Sequence, residues 1–128
     1  MVDILLYLPY FEDLIPSDAY KYIEPTKHKD GSMSLPGYNY DDKFLQFTHD
    51  FYNSGLSVSD YSEILNTKVP DWQTVNINEV LETSDLELTK AILTKSIRVE
   101  RFCDGAWAGA IENGTFLAIL KRLSVLLS

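Results

Sequence analysis

The sequence predicts an all-α protein: one compact, bundle-like domain over residues 1–128, with about five to six helices and a long N-terminal loop. Three observations carry that expectation. Apolar residues recur at helical spacing through the last third of the chain. A clean start-and-stop pattern brackets residues 40–55. No stretch of useful length alternates apolar and polar residues as a half-buried strand does.

At the amino terminus Val2, Leu5 and Leu6 define a first helix that Pro9 must start, kink or end, because its ring clashes with a preceding turn. "YFEDLIP" supplies another turn, closed by Pro16. From there to Asn39 the chain is rich in Ser, Asp, Lys, Gly and Pro, with "KHKDGS" and "LPGY" inside it. Pro36 followed by Gly37 suits a type II turn, since glycine accepts the positive φ at its third position. Residues 16–39 therefore read as one irregular loop, of a length uncommon unless functional or flexible.

"YDDKFLQFTHDFYNSG" reads as a helix. Asp41 or Asp42 caps it, Phe44, Phe47 and Phe51 form its apolar stripe, and Gly55 closes it. "DYSEILN" adds a shorter helix, and "VPDWQTVN" is a connector with Trp72 as its anchor. In "SDLELTKAILTKSIRVERFC" Ser84 or Asp85 caps a long helix. Leu88, Ile92, Val99 and Cys103 make one stripe, and Leu86, Leu93 and Ile97 make a second. Two apolar faces mean burial between neighbours, leaving a polar wedge of Lys90, Thr94, Arg98 and Arg101. Finally "GTFLAILKRLSVLLS" aligns Phe116, Leu120, Leu123 and Leu127, flanked by Ile119 and Leu126.

Composition narrows the function classes. The chain is 45% hydrophobic and 23% charged, as ordinary globular proteins are, so its core needs no metal or disulfide. Its formal net charge of −8 repels a phosphate backbone. Residues 98–128 are only marginally basic, with Arg98, Arg101, Lys121 and Arg122 against Glu100, Asp104 and Glu112. Nucleic acid is set aside as a partner. Cys103 stands alone, so no intrachain disulfide forms and a reducing cytoplasm is the expected compartment. "MVDILLYLPYFEDL" lacks a basic n-region and is not a signal peptide, and no apolar run has the length of a membrane span.

"ERFCDGAWAGAIENG", residues 100–114, gathers the cysteine, a tryptophan and three glycines. Wound as a helix, it sets Gly105, Ala108 and Gly109 on a small face open to a close neighbour, and Trp107 and Ile111 on a core face. Gly114 takes the left-handed position that ends it. Cys103 falls on the apolar stripe, and neither His28 nor His49 is placed beside it as a base, which disfavours a catalytic thiol. Metal spacings, a P-loop and GxGxxG are lacking, so no metal and no cofactor is expected. "NGT" at 113–115 matches a glycosylation sequon by coincidence. The charged set Arg98, Glu100, Arg101 and Asp104, beside Trp107, has two readings. One is a structural ion network; the other is an Arg-lined pocket for a small anion or carboxylate, floored by Trp107.

"LTKSIRVERFCDGAWAGAIENGTFLAILKRL" resembles the C-terminal signature of a small bacterial family of unknown function, with RFCDG (Arg101–Gly105) its most specific block. "YLPYFED" and "YDDKFLQFTHDFYNSG" are similar to its opening segment and middle helix. The resemblance implies a stand-alone bacterial protein and carries over no activity, cofactor or partner. Ala106, Ala108 and Ala110 depart from the bulkier or polar residues of that pattern, which weakens the short helix as a ligand wall. Two functions are carried forward. The leading one is a non-enzymatic cytoplasmic binding protein, homodimeric through a tail with Leu117 and Val125 outside its main stripe. The other is an enzyme or small-anion sensor with a pocket around Arg98, Arg101, Asp104 and Trp107.

Overall fold

The computed structural model describes residues 3–25, 27–32 and 37–128. The Asp3 carboxylate accepts from the Leu5 N–H at 3.0 Å and caps a 3₁₀ turn, Ile4–Tyr7. It runs into α1 (Leu8–Asp13), with Pro9 in the first turn, where a missing N–H costs nothing. Pro16 does the same for α2 (Pro16–Ala19). Both prolines thus start helices; Val2 lies outside the described residues.

The fold is mixed rather than all-α. β1 (Tyr20–Ile23) pairs antiparallel with β2 (Gly37–Tyr40), setting Tyr20 opposite Tyr40 and Tyr22 opposite Tyr38. Tyrosine at alternate positions puts four rings on one face, where neighbouring centroids lie 5.2–6.4 Å apart. Strands of four residues are too short to register as periodicity; cross-strand tyrosine contacts stabilise them instead. Residues 16–39 are accordingly not one long irregular loop. Gly37 sits in β2 outside the positive-φ region, so it does not serve the expected type II turn, and Leu35 and Pro36 fall outside the described residues.

α3 (Asp42–Phe51) forms where expected, with Phe44, Phe47 and Phe51 fully buried, but Asp41 stands at its N-cap without a side-chain cap bond, and Gly55, left-handed at φ 78°, lies four residues past its end instead of closing it. α4 (Tyr61–Lys68) is followed by the Trp72 connector and then by α5 (Ile77–Leu81), a helix the apolar pattern did not signal. α6 (Leu86–Arg98) is buried on both expected faces and packs against α4 and α8 (Thr115–Leu126). α7 (Ala106–Glu112) lies between them in sequence. The described residues thus hold eight α-helices rather than five or six.

The core joins a cluster of aromatic rings to a set of aliphatic side chains. Phe11 meets Phe47 at 4.9 Å and stacks on Phe116 at 5.9 Å, while Phe44 touches both Phe116 and Trp107 at 5.4 Å. Such edge-to-face pairs each add about 0.5–1.5 kcal/mol beyond burial. Leu65, Leu81, Ile92, Leu93, Ile119, Leu120 and Leu123 belong to the same buried cluster.

Candidate functional site

The charged set flagged in the sequence divides in two. Glu100 and Trp107 form a structural corner between α6 and α7. The Glu100 carboxylate accepts from the backbone N–H groups of Gly105 (3.0 Å) and Trp107 (2.8 Å), which open α7, and from the Tyr40 hydroxyl (3.0 Å). Tyr40 in turn accepts from the Ala108 N–H at 3.2 Å. Burial and the hydrogen bond to Glu100 push the Tyr40 phenol well above its ordinary pKa. In return, the Trp107 indole N–H donates to the carbonyls of Ser96 (3.1 Å) and Ile97 (3.0 Å) in the last turn of α6. Each helix end has unsatisfied backbone groups, and here each is closed by a side chain of the other helix or its flank.

Arg98 and Arg101 do not converge. Arg101 is exposed at the edge of a cavity of about 250 Å³ with Thr48, Tyr52, Ile97, Glu100 and Trp107. Arg98 is half-buried, its guanidinium 5.7 Å from the Tyr61 ring centre, and its buried Nε has no hydrogen-bond partner. Asp104 is exposed. Among the described residues the ion pairs are Lys68 with Asp85 (2.6 Å) and with Glu87 (3.3 Å), so neither arginine belongs to an ion network. Cys103 is exposed too, because α6 ends at Arg98 and the apolar stripe does not reach it. The expected small face of α7 does not form either. Gly105 precedes the helix at φ 90°, and Gly109 faces open space.

A larger cavity lies elsewhere, with a volume of about 560 Å³. It is bounded by the Trp72 connector, α5, one face of α6 and the α7–α8 turn. Buried Leu65 and Ile92 contribute apolar wall. Gln73, Asn76, Asn78, Ser96, Asn113 and Thr115 contribute amides and hydroxyls, and Lys95 is the one ionisable side chain of the lining. The Lys95 ammonium sits 4.3 Å from the centre of the Trp72 ring, and burial lowers its pKa against a smaller opposing effect of Cys103. Trp72 is oriented by its indole N–H, which donates to Asn66 at 3.3 Å.

Asn78 is the other unusual group. Its Nδ2 donates to the Asn113 carbonyl at 2.8 Å, which sets the orientation of the amide: the reverse flip would bring two oxygens together. The Oδ1 is left buried with no partner, a condition that the large majority of buried side-chain polar atoms avoid. α8 begins beside the cavity at Thr115. Its cap is Gly114, at φ 70°, and its first turn holds no acid, so no side chain of that turn offsets its positive end. A smaller cavity of about 210 Å³, lined in part by Tyr61, Arg98 and Phe102, shares Leu65, Trp72 and Lys95 with the large one. Arg98 thus lies one turn from Lys95, across Trp72.

Sequence reasoning missed Lys95, Trp72 as a site residue, and Asn78. One signal was present: Lys95 precedes Arg98 by three positions on a helix otherwise apolar on two faces. Asn76 and Asn78 carry no such signal, since Asn is commonplace at a helix start; the Asn76 side chain indeed caps α5 by accepting from the Asn78 N–H at 3.0 Å.

The fold and this cavity define a helical protein with a tyrosine-faced hairpin and a polar, lysine-bearing pocket. Residues 1–128 match the family of unknown function DUF6508, and the chain belongs to that family. No curated protein and no solved structure matches it. No helix among the described residues is long and apolar enough to cross a membrane, and no group of His, Cys, Asp and Glu there is arranged to hold a metal ion.

Proposed function

We propose that the protein is a non-enzymatic binding protein whose ligand is a small anion held in the Lys95 cavity. One observation carries the reading: Lys95 is half-buried in a cavity whose other lining residues include no carboxylate. In a chain with nineteen Asp and Glu, that exclusion is unusual. Withdrawing an ammonium from water is costly without a counter-ion, and the Trp72 face offsets only about 0.5–2 kcal/mol of that. A bound anion supplies the missing charge, and the amino end of α8 favours the same sign. The lining holds no Asp, Glu, His or Cys, and the Ser96 hydroxyl beside Lys95 donates to the Ile92 carbonyl at 2.8 Å, so these two are not set as nucleophile and base.

Titration of the labelled protein with small carboxylates at constant ionic strength, followed by the Trp72 indole N–H resonance, tests this. Saturable shifts that Lys95→Gln abolishes are expected. Shifts that survive Lys95→Gln, or none at all, would sink the reading. Affinity should also fall as pH rises through the lowered pKa of Lys95, since only the protonated amine attracts an anion.

A second reading, homodimerisation, is favoured by Val125 and Leu127 of the last helical turn, which are 63% and 46% exposed. Light scattering behind size exclusion at several concentrations tests it, and a strict monomer removes it. A bacterial origin and a cytoplasmic location belong to the same proposal. They are supported by the likeness of the Arg101–Gly105 block to a bacterial signature and by the single, exposed Cys103.

A further inference from the structure

We infer that the protein pairs with a second copy of itself by seating the carboxyl end of α8 of one chain in a groove beside α1 of the other. This rests on the homodimer reading above and names the surface that receives Val125. The groove lies among the 3₁₀ turn, α1, α2 and the first turn of α3, with a volume of about 440 Å³. Leu6, Pro9, Leu14 and Ile15 line it. Leu6 and Ile15 are 75% and 62% exposed, and with Val125 at 63% they are the most exposed large aliphatic side chains among the described residues. Covering them against one another removes apolar surface from water.

Charge says which occupant fits. Residues 3–18 carry Asp3, Glu12, Asp13 and Asp18 and no basic side chain, and Asp13 and Asp18 line the groove. Lys43 is the one cation of the lining, and its ammonium sits 5.6 Å from the centre of the Tyr7 ring. α8 has the opposite balance: residues 115–128 hold Lys121 and Arg122 and no acid. Lys121 is exposed one turn before Val125 on the same helix face, so the end of α8 presents an aliphatic side chain beside a cation. Among the described residues this match is unused within one chain. The ion pairs there are those of Lys68, and the Arg122 Nε donates instead to the Ser84 carbonyl at 2.8 Å. Two α8 ends face to face would oppose lysines, and two grooves would oppose aspartates; the crossed arrangement joins opposite signs. About a two-fold axis each copy gives one α8 end and receives one, so the contact is made twice and the assembly closes. A bilayer is disfavoured as the occupant, because the groove has the charge sign of anionic headgroups.

Sedimentation velocity of the full chain at several concentrations reads the association. Ile15→Asp and Val125→Asp, both at exposed positions, should each weaken it by at least about tenfold and leave the circular dichroism unchanged. Lys121→Glu should weaken it as well. Mixing the first two variants, one of them ¹⁵N-labelled, should yield a heterodimer in native mass spectrometry. The intact α8 end of the Ile15→Asp chain then meets the intact groove of the Val125→Asp chain. Association that survives Ile15→Asp but not Val125→Asp, or a mixture without the heterodimer, would overturn the groove and leave the homodimer reading standing. Association untouched by Val125→Asp, or a wild-type chain that stays monomeric, would overturn both.

Discussion

Gly105 and Gly109 lie four residues apart and respond oppositely to a methyl group. Gly105 holds φ at 90°, and a Cβ there would come within 2.6 Å of the Tyr38 ring. Gly105→Ala should therefore destabilise the protein by about 1–3 kcal/mol in urea unfolding. Gly109 is inside α7 with open space around it, so Gly109→Ala should stabilise by about 0.5–1 kcal/mol through lost unfolded-state freedom. The glycines of residues 100–114 were legible as special positions. Which of them was special for conformation and which was merely tolerated depended on Tyr38, sixty-seven residues away in sequence. Glu100 teaches the same lesson. Its three donors come from β2, from Gly105 at the cap of α7 and from α7 itself, and Glu100→Ala, which strands all of them, should cost about 2–3 kcal/mol.

α6 is the element the sequence described best, and its amino end shows why. Asp85 accepts from the Leu88 N–H at 2.8 Å and receives Lys68 at 2.6 Å. Removing this cap with Asp85→Ala should cost about 1 kcal/mol. The Lys68 contact and the Leu88 N–H hold the Asp85 pKa below its usual value of 3.8. Asp85 thus contributes stability that is complete above that value and is lost as pH falls through the lowered one; Asp85→Asn should flatten that part of an acid-unfolding curve. The carboxyl end of α6 was misread for a physical reason. No glycine or proline stops the helix before Gly105, and apolar spacing runs on to Cys103. What ends it is the Trp107 indole occupying the Ser96 and Ile97 carbonyls, a contact made only after α7 folds back. β1 and β2 were missed because each is four residues long, and their stability comes from one another.

At the scale of the whole molecule, tyrosine does the work expected of basic residues. Tyr7 donates to Asp50 at 2.6 Å, Tyr10 to Asp41 at 2.8 Å, Tyr20 to Glu112 at 2.6 Å and Tyr40 to Glu100 at 3.0 Å. A chain with eleven Lys and Arg against nineteen Asp and Glu ties down carboxylates with neutral hydroxyls, which hydrogen-bond without adding charge. Burial and then the carboxylate raise Tyr7 from 10.0 to about 12, and raise Tyr10 and Tyr40 further. A raised folded pKa gives stability that is full below the unfolded value and is lost as pH climbs through the folded one. The protein should therefore hold its stability to about pH 10 and lose it steeply above. Phenolate absorbance should rise in step with loss of helical circular dichroism; free titration of these tyrosines near 10 in a folded chain would contradict the pairing.

Local chemistry by itself determined the helices that carry their own apolar stripe: α3, the body of α6 with its Asp85 cap, and α8 with Gly114 before it. Those signals act within a few residues, through caps, propensity and the periodicity of apolar side chains. Tertiary structure alone decided the tyrosine hairpin, the end of α6, the exposure of Cys103, and the separation of Arg98 from Arg101. It also decided the cavity, which brings the 72–78 stretch together with Lys95 and Thr115 from two other segments. A carboxylate-free environment around one lysine is a property of what packs together, and no spacing along the chain records it.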